Sequence, residues 1–148
     1  TAEAVTVLLD HYGIDCAGKR AVVIGRSPVV GRPAAMLLLE RNATVTVCHT
    51  RTQALSAVTR EADIIVSAAG AAGCLTAAHV RPGQTIIDVS ANWDAAKNTI
   101  VGDADFDAAV SIVDAITPVP GGVGAVTSAV LMRHVVQAAE RTLEGGNL

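Results

Sequence analysis

Ala21, Val22, Val23 and Ile24 run directly into Gly25, and after the stretch RSPVVGRP a helical pattern begins at Ala34, Ala35, Leu37 and Leu38. An unbroken apolar run suits a strand buried on both faces of a parallel sheet, and a glycine turn then aims the next helix back at the strand's end. Free N–H groups and the positive end of the helix dipole converge on that turn, which makes it a natural seat for phosphate. The chain is therefore expected to place a nucleotide-binding turn at the end of its first strand.

The turn departs from the usual dinucleotide fingerprint. With Gly25 first, G-x-G-x-x-G needs glycines at 27 and 30, where this chain has Ser27 and Val30, and Gly31 comes one place late. A Cβ at 27 keeps the backbone further from a pyrophosphate, but the Ser27 hydroxyl can donate to it, and Gly31 still permits close helix-to-strand contact. A glycine-rich turn that only packs is the competing reading of this segment.

Elements alternate along the whole chain. Thr1 to Tyr12 puts Val5, Leu8, Leu9 and Tyr12 on one helical face, with Gly13 as its stop. After a turn through Asp15 and Gly18, the sequence predicts strands at Arg20–Ile24, Thr44–Cys48, Asp63–Ser67, Thr85–Val89 and near Ser111–Ile116. Helices are predicted at about Val30–Glu40, Ala54–Glu61, Thr76–Val80 and Asp105–Val110, and a long one from Val126 to about Leu143. Ala91 to Thr99 reads as a polar loop. This order argues a three-layer, Rossmann-like α/β domain with a mainly parallel sheet over residues 1–148. Ala129 to Met132 with Val135 and Val136 give the last helix an apolar stripe too wide for one-sided burial. Such a helix is either wedged deep in the sheet or covered by a partner.

A composition of 51% hydrophobic but 2% aromatic residues suits β-branched strands and alanine-lined helices. The net charge of −3, with no Lys/Arg cluster among aromatics, argues against nucleic acid. Cys16, Cys48 and Cys74 lack metal or disulfide spacing, so no metal site is expected and a reducing, cytoplasmic setting is. The apolar runs are too short to span a bilayer, and no membrane partner is expected. Thr1 in place of Met allows the chain to be cut from something longer.

Chemistry is expected at three further places. NAD-specific sites carry an acidic residue at the end of the second strand, but here the segment is Cys48-His49-Thr50-Arg51-Thr52. With Arg26 in the turn, this favours the 2′-phosphate of NADP, against the alternative of solvated loop arginines. Pro118 to Gly124 is a second glycine-rich segment ahead of a helix, with Thr127 near its start, and suits a ligand lying against backbone, against the alternative of a purely structural tight turn. Asp88 ends a strand at the ligand-binding edge and reads as a cap for nearby N–H groups; Asp103 and Asp105 read as helix caps. His11, His79 and His134 read as surface residues.

Taken together, GRSPVVGRP, ATVTVCHTRT, ADIIVSAAG, RPGQTIIDV, VGDADF and TPVPGGVGAVT resemble the methylenetetrahydrofolate dehydrogenase/methenyltetrahydrofolate cyclohydrolase family. The likeness runs from Thr1 to about Arg141 and covers only that family's nucleotide-binding half. It implies that Gly25, Arg26, Ser27 and Val30 contact NADP, with Arg26 and the turn His49, Thr50 and Arg51 near the 2′-phosphate. It further implies that Ala69, Gly70 and Ala91 lie at the cofactor mouth, and that Gly121, Gly122, Gly124 and Thr127 border the nicotinamide and the pterin. Departures from the pattern are Ala2 and Ala4 for its proline and glycine, Thr50 for a common serine, Ser90-Ala91 for Gly-Ile, and Ala71-Ala72 after the third strand.

The family's catalytic tyrosine and lysine lie in the other domain, in a Tyr-x-x-x-Lys pattern. Here Tyr12 is followed four residues later by Cys16, and Lys19 and Lys97 have no such context. No catalytic residue is therefore expected in this chain. The implied partners are tetrahydrofolate derivatives and an N-terminal catalytic domain, bridged by the first and last helices, in a homodimer serving one-carbon metabolism and purine biosynthesis. The alternative is a stand-alone dinucleotide-binding module without catalysis.

Overall fold

The computed structural model describes residues 1–145, so 146–148, the tail of the expected domain, lie outside the described residues. The elements are α1 (Ala2–His11), β1 (Arg20–Ile24), α2 (Gly31–Glu40), β2 (Thr44–Cys48), α3 (Leu55–Arg60), β3 (Ile64–Ser67), a 3-10 turn (Ala77–His79), β4 (Thr85–Asp88), β5 (Asn92–Asp94), β6 (Thr99–Val101), α4 (Phe106–Ala109), β7 (Ala115–Ile116) and α5 (Val123–Gly145). The main sheet has the order β2-β1-β3-β4-β7, and every neighbouring pair is parallel. The register aligns the strand ends: Ile24 lies beside Cys48 and Ser67, and Ser67 beside Asp88.

Alternation along the strands divides the core into two layers. Ala21, Val23, Ile64, Val66 and Ile87 pack on Val5 and Leu9 of α1, Ala34, Ala35 and Leu38 of α2, and Val123 and Val130 of α5. Val22, Ile24, Ile65 and Ile86 face the other way, onto Leu75, Val80, Ala109 and Val113. Alanines on α2 let the helix lie close to the sheet, while Leu38, fully buried, fills the gap; truncating it to alanine would cost about 2 to 5 kcal/mol. The expected three layers are present.

Several expectations need correction. Residues 92–101 are not a loop but an antiparallel hairpin, pairing Asn92 with Val101, Trp93 with Ile100 and Asp94 with Thr99. Its strands are three residues long and half exposed, so no hydrophobic alternation marks them. The turn is made by Asp94, whose Oδ1 accepts from the N–H groups of Ala96 and Lys97, and by Asn98 at a φ of 49°. The last strand shrinks to Ala115–Ile116. Helix α5 starts at Val123, because the glycines that loosen the loop do not keep Gly124 out of the first turn. Tyr12 lies just past the end of α1 and is 70% exposed, off the apolar face. On α5 the wide stripe is not wedged into the sheet: Leu131, Met132, Val135 and Val136 are exposed.

Candidate functional site

The chain leaves β1 for β2 on one side and returns to β3 on the other, so the loops after β1 and β3 part and leave a crevice at the carboxyl edge. Open α/β sheets bind ligands at such a switch point. Gly25 closes its floor. Its φ is +114°, and a Cβ there would collide with the Ala68 carbonyl oxygen. Likewise a Cβ on Gly31 would collide with the Gly25 carbonyl, so the start of α2 lies directly on the turn, as the spacing of the two glycines suggested.

Ser27 Oγ accepts from Val30 N at 3.1 Å and Gly31 N at 3.4 Å. That fixes the hydroxyl at the head of α2 and leaves its own proton to donate. Arg26 and Ser27 are exposed, and Val30 is half-buried. At the end of β2, His49 N donates to Thr52 Oγ1 at 2.9 Å and Arg51 N to His49 Nδ1 at 3.1 Å, a turn closed by its own side chains. His49, Thr50 and Arg51 are exposed. Two guanidinium groups and no carboxylate thus stand at the ends of β1 and β2.

Across the crevice the chemistry changes. Asp103, expected as a helix cap, is instead the buried centre of a network, 0% exposed. Its Oδ2 accepts from Ser67 Oγ at 2.9 Å, Ala69 N at 2.8 Å, Gly70 N at 3.3 Å and Ser90 Oγ at 2.7 Å. Its Oδ1 accepts from Ala71 N at 2.7 Å and Asn92 Nδ2 at 3.1 Å. Burial works to raise its pKa, but the Ser90 and Asn92 side chains and the Ala71 and Ala69 amides outweigh it and hold the carboxyl below its ordinary range. Capping of α4 falls to Asp105 alone, which accepts from Ala108 N. The expected mouth residues Ala69, Gly70 and Ala91 are all exposed on loops that this network ties down.

Asp88 caps nearby N–H groups as expected: Ala104 N at 2.8 Å and Ser90 N at 3.1 Å. A Cβ on Gly102 would run into its carboxyl group, so a side chain there would push that carboxyl off the Ala104 and Ser90 amides. Burial pushes its pKa up to about 6, against the pull of the Ala104 and Ser90 amides and with the Asp103 charge adding to the rise. Sequence reasoning missed Asp103, Ser67, Ser90 and Asn92 as site-builders. The available signal was the polar ending of two otherwise apolar strands, Ser67 and Asp88.

The fourth wall is the loop into α5. Gly121 is exposed at a φ of +99°, Gly122 lies against the Pro118 carbonyl, and Gly124 has open space around it. Gly121 and Gly122 also line a groove of about 910 Å³ that runs beside β7 with Tyr12, Ile116 and Val126. Thr127 Oγ1 is the one buried side-chain oxygen among the described residues without a hydrogen-bond partner. An orphaned hydroxyl behind a glycine loop fits a ligand that brings its own polar group. Among the described residues no cluster of His, Cys, Asp and Glu could hold a metal, and no helix is long and apolar enough to cross a membrane.

Residues 1–143 match the family described as tetrahydrofolate dehydrogenase/cyclohydrolase, NAD(P)-binding domain. The bifunctional protein FolD of Nocardia farcinica is 53% identical over 141 residues, which are 95% of this chain and 50% of that protein. FolD of Carboxydothermus hydrogenoformans is 55% identical over 141 residues, 95% of this chain and 49% of its own length. The chain spans about half the length of the curated relatives it matches. The crystal structure of FolD, methylenetetrahydrofolate dehydrogenase/cyclohydrolase, from Campylobacter jejuni superposes with a TM-score of 0.92 at 45% identity, covering 95% of this chain and 50% of that one. The Trypanosoma brucei dehydrogenase-cyclohydrolase, solved with NADP and an inhibitor, gives 0.90 at 38% identity, over 96% of this chain and 50% of its own.

Proposed function

Because the chain belongs to the NAD(P)-binding domain family of tetrahydrofolate dehydrogenase/cyclohydrolases, we propose that it binds NADP across the carboxyl edge of its sheet, as half of a bifunctional folate enzyme. That enzyme oxidises methylenetetrahydrofolate and hydrolyses the methenyl product. The observation that carries this reading is the switch point itself, where Gly25 and Gly31 hold the head of α2 against the crevice floor. Dinucleotides lie across such a crevice with one half on each side.

Each wall then has a task. The Ser27 hydroxyl, fixed by the N–H groups of Val30 and Gly31 at the positive end of the α2 dipole, donates to the pyrophosphate, and Arg26 and Arg51 take the 2′-phosphate. Ala69, Gly70 and Ala91 border the nicotinamide half, and Gly121, Gly122, Gly124 and Thr127 close it on the folate side. When bound, the cofactor supplies a hydride acceptor. The residues here orient it and exclude water, while the base for cyclohydrolysis comes from the catalytic half.

The exposed apolar face of α5, held beside α1 by Glu3 bonded to Arg133 and His134, supports these two helices as the bridge to that half. The assembled enzyme is read as a cytoplasmic homodimer, in keeping with three free cysteines. The test is reduction of NADP, followed by near-ultraviolet absorbance with methylenetetrahydrofolate present. This chain alone should give no turnover, since orienting two reactants is worth about 7 to 11 kcal/mol in favourable cases and the chain supplies only its own side of the cleft that holds the folate. Joined to the catalytic half it should turn over. Robust turnover by the chain alone would falsify the two-half reading.

A further inference from the structure

Asp103 accepts from six donors, and three of them are consecutive: the N–H groups of Ala69, Gly70 and Ala71. All three residues are exposed, at the end of β3, on the far side of the crevice from the arginines. Ser90, from the end of β4, is the second point of the clasp. Its hydroxyl donates to Asp103 at 2.7 Å and accepts from Gly70 N at 3.2 Å, while its own N–H is held by Asp88. One carboxylate and one hydroxyl therefore lock the exits of β3 and β4 to each other and to the hairpin strand that returns through Gly102.

We propose that Asp103, with Ser90, is a positioning residue for the nicotinamide half of the cofactor. The clasp consumes the N–H groups of 69–71, so the loop offers a ligand carbonyl oxygens and a surface without bulky side chains. Acceptors of that kind suit ribose hydroxyls and a carboxamide NH2. Neither clasp residue touches the cofactor; both act by fixing the backbone that does. The adenosine half lies over β1 and β2 and is untouched by the clasp.

This inference rests on the NADP reading above, and the experiment separates the two. NADP and adenosine 2′,5′-bisphosphate, which lacks the nicotinamide half, are titrated calorimetrically into the wild-type chain, Asp103→Asn and Ser90→Ala. Asp103→Asn should weaken NADP by about tenfold or more, and Ser90→Ala by about fivefold, as hydrogen bonds to a charged group are lost. Both variants should hold the bisphosphate within about twofold of wild type, because its binding groups lie across the crevice. Equal losses for the two ligands would show general damage and overturn the proposal, as would unchanged NADP affinity in both variants. If Asp103→Asn does not fold, Ser90→Ala decides by the same comparison. A wild-type chain that fails to bind NADP overturns the cofactor reading itself, and this proposal with it.

Discussion

Where β1 and β2 leave the sheet, the side chains that point to function are exposed, and their bonds reach only two to four residues along the chain. Where β3 and β4 leave it, the organising side chain, Asp103, is buried, and its bonds span 11 to 36 residues. On the reading proposed above, the first region meets its ligand directly with charge, and the second shapes backbone that meets the ligand. Substitution should accordingly separate binding from stability on the β1–β2 side and couple them on the β3–β4 side.

The largest effect is expected at the seam between the regions. Gly25→Ala would force a Cβ into the Ala68 carbonyl at a φ that other residues avoid, and should destabilise the chain by about 3 kcal/mol or more, measured by urea denaturation. Gly124→Ala, with nothing near its Cβ, is the control. Equal stability of the two variants would break the packed-seam picture.

Next is the pH response of the buried side. The Asp88 carboxyl titrates near 6 in the fold, against 3.8 as an ordinary carboxyl, so the folded state holds the proton more tightly. Its contribution is full below about pH 4 and is lost as pH rises through about 6, a change of about 3 kcal/mol. Asp88→Asn removes that slope and should gain on wild type between pH 4 and pH 7 in urea titrations by about that amount. Asp103 works with the opposite sign: its carboxyl is held low, so its contribution is present above its unfolded pKa and lost as pH falls. Identical pH slopes for Asp88→Asn and wild type would contradict the burial assigned to Asp88.

On the exposed side the effects should appear in binding. NADP should bind more tightly than NAD by about 1 to 3 kcal/mol, from charge-assisted contacts of Arg26 and Arg51 with the 2′-phosphate. Arg26→Ala should lose much of that preference while moving stability by less than about 0.5 kcal/mol. Calorimetry with both cofactors checks the first claim and thermal unfolding the second. Equal affinities for NADP and NAD in the wild type would remove the arginines from the site. The smallest change is expected for Thr50→Ser, exposed in the turn after β2: within about 0.5 kcal/mol in stability and no shift in NADP preference.

The contrast also explains what the sequence made legible. Buried strands announce themselves as apolar runs, and Ser27 and Gly31 act on neighbours a few positions away, so the sheet and its turn could be read locally, although the Ala68 carbonyl that requires Gly25 lies on another loop. The arginines were legible because a missing carboxylate after β2 is itself a local fact. Asp103 was misread because a helix lies just beyond it, and capping is the only local task an aspartate has there. Its actual partners are the last residue of β3, the loops after β3 and β4, and the first residue of β5. The hairpin 92–101 was hidden for a related reason: neither face is buried, so pairing rests on Asp94 and Asn98 in the turn rather than on alternation.

The central claim is that one dinucleotide lies across both regions at once. Amide hydrogen exchange with and without NADP tests it residue by residue. The account predicts slower exchange at 25–31, at 49–51, at 69–71 and at 121–127, and no change at the opposite ends of the strands, around Arg20, Thr44 and Thr85. Protection confined to those opposite ends, or to the groove beside β7, would contradict it.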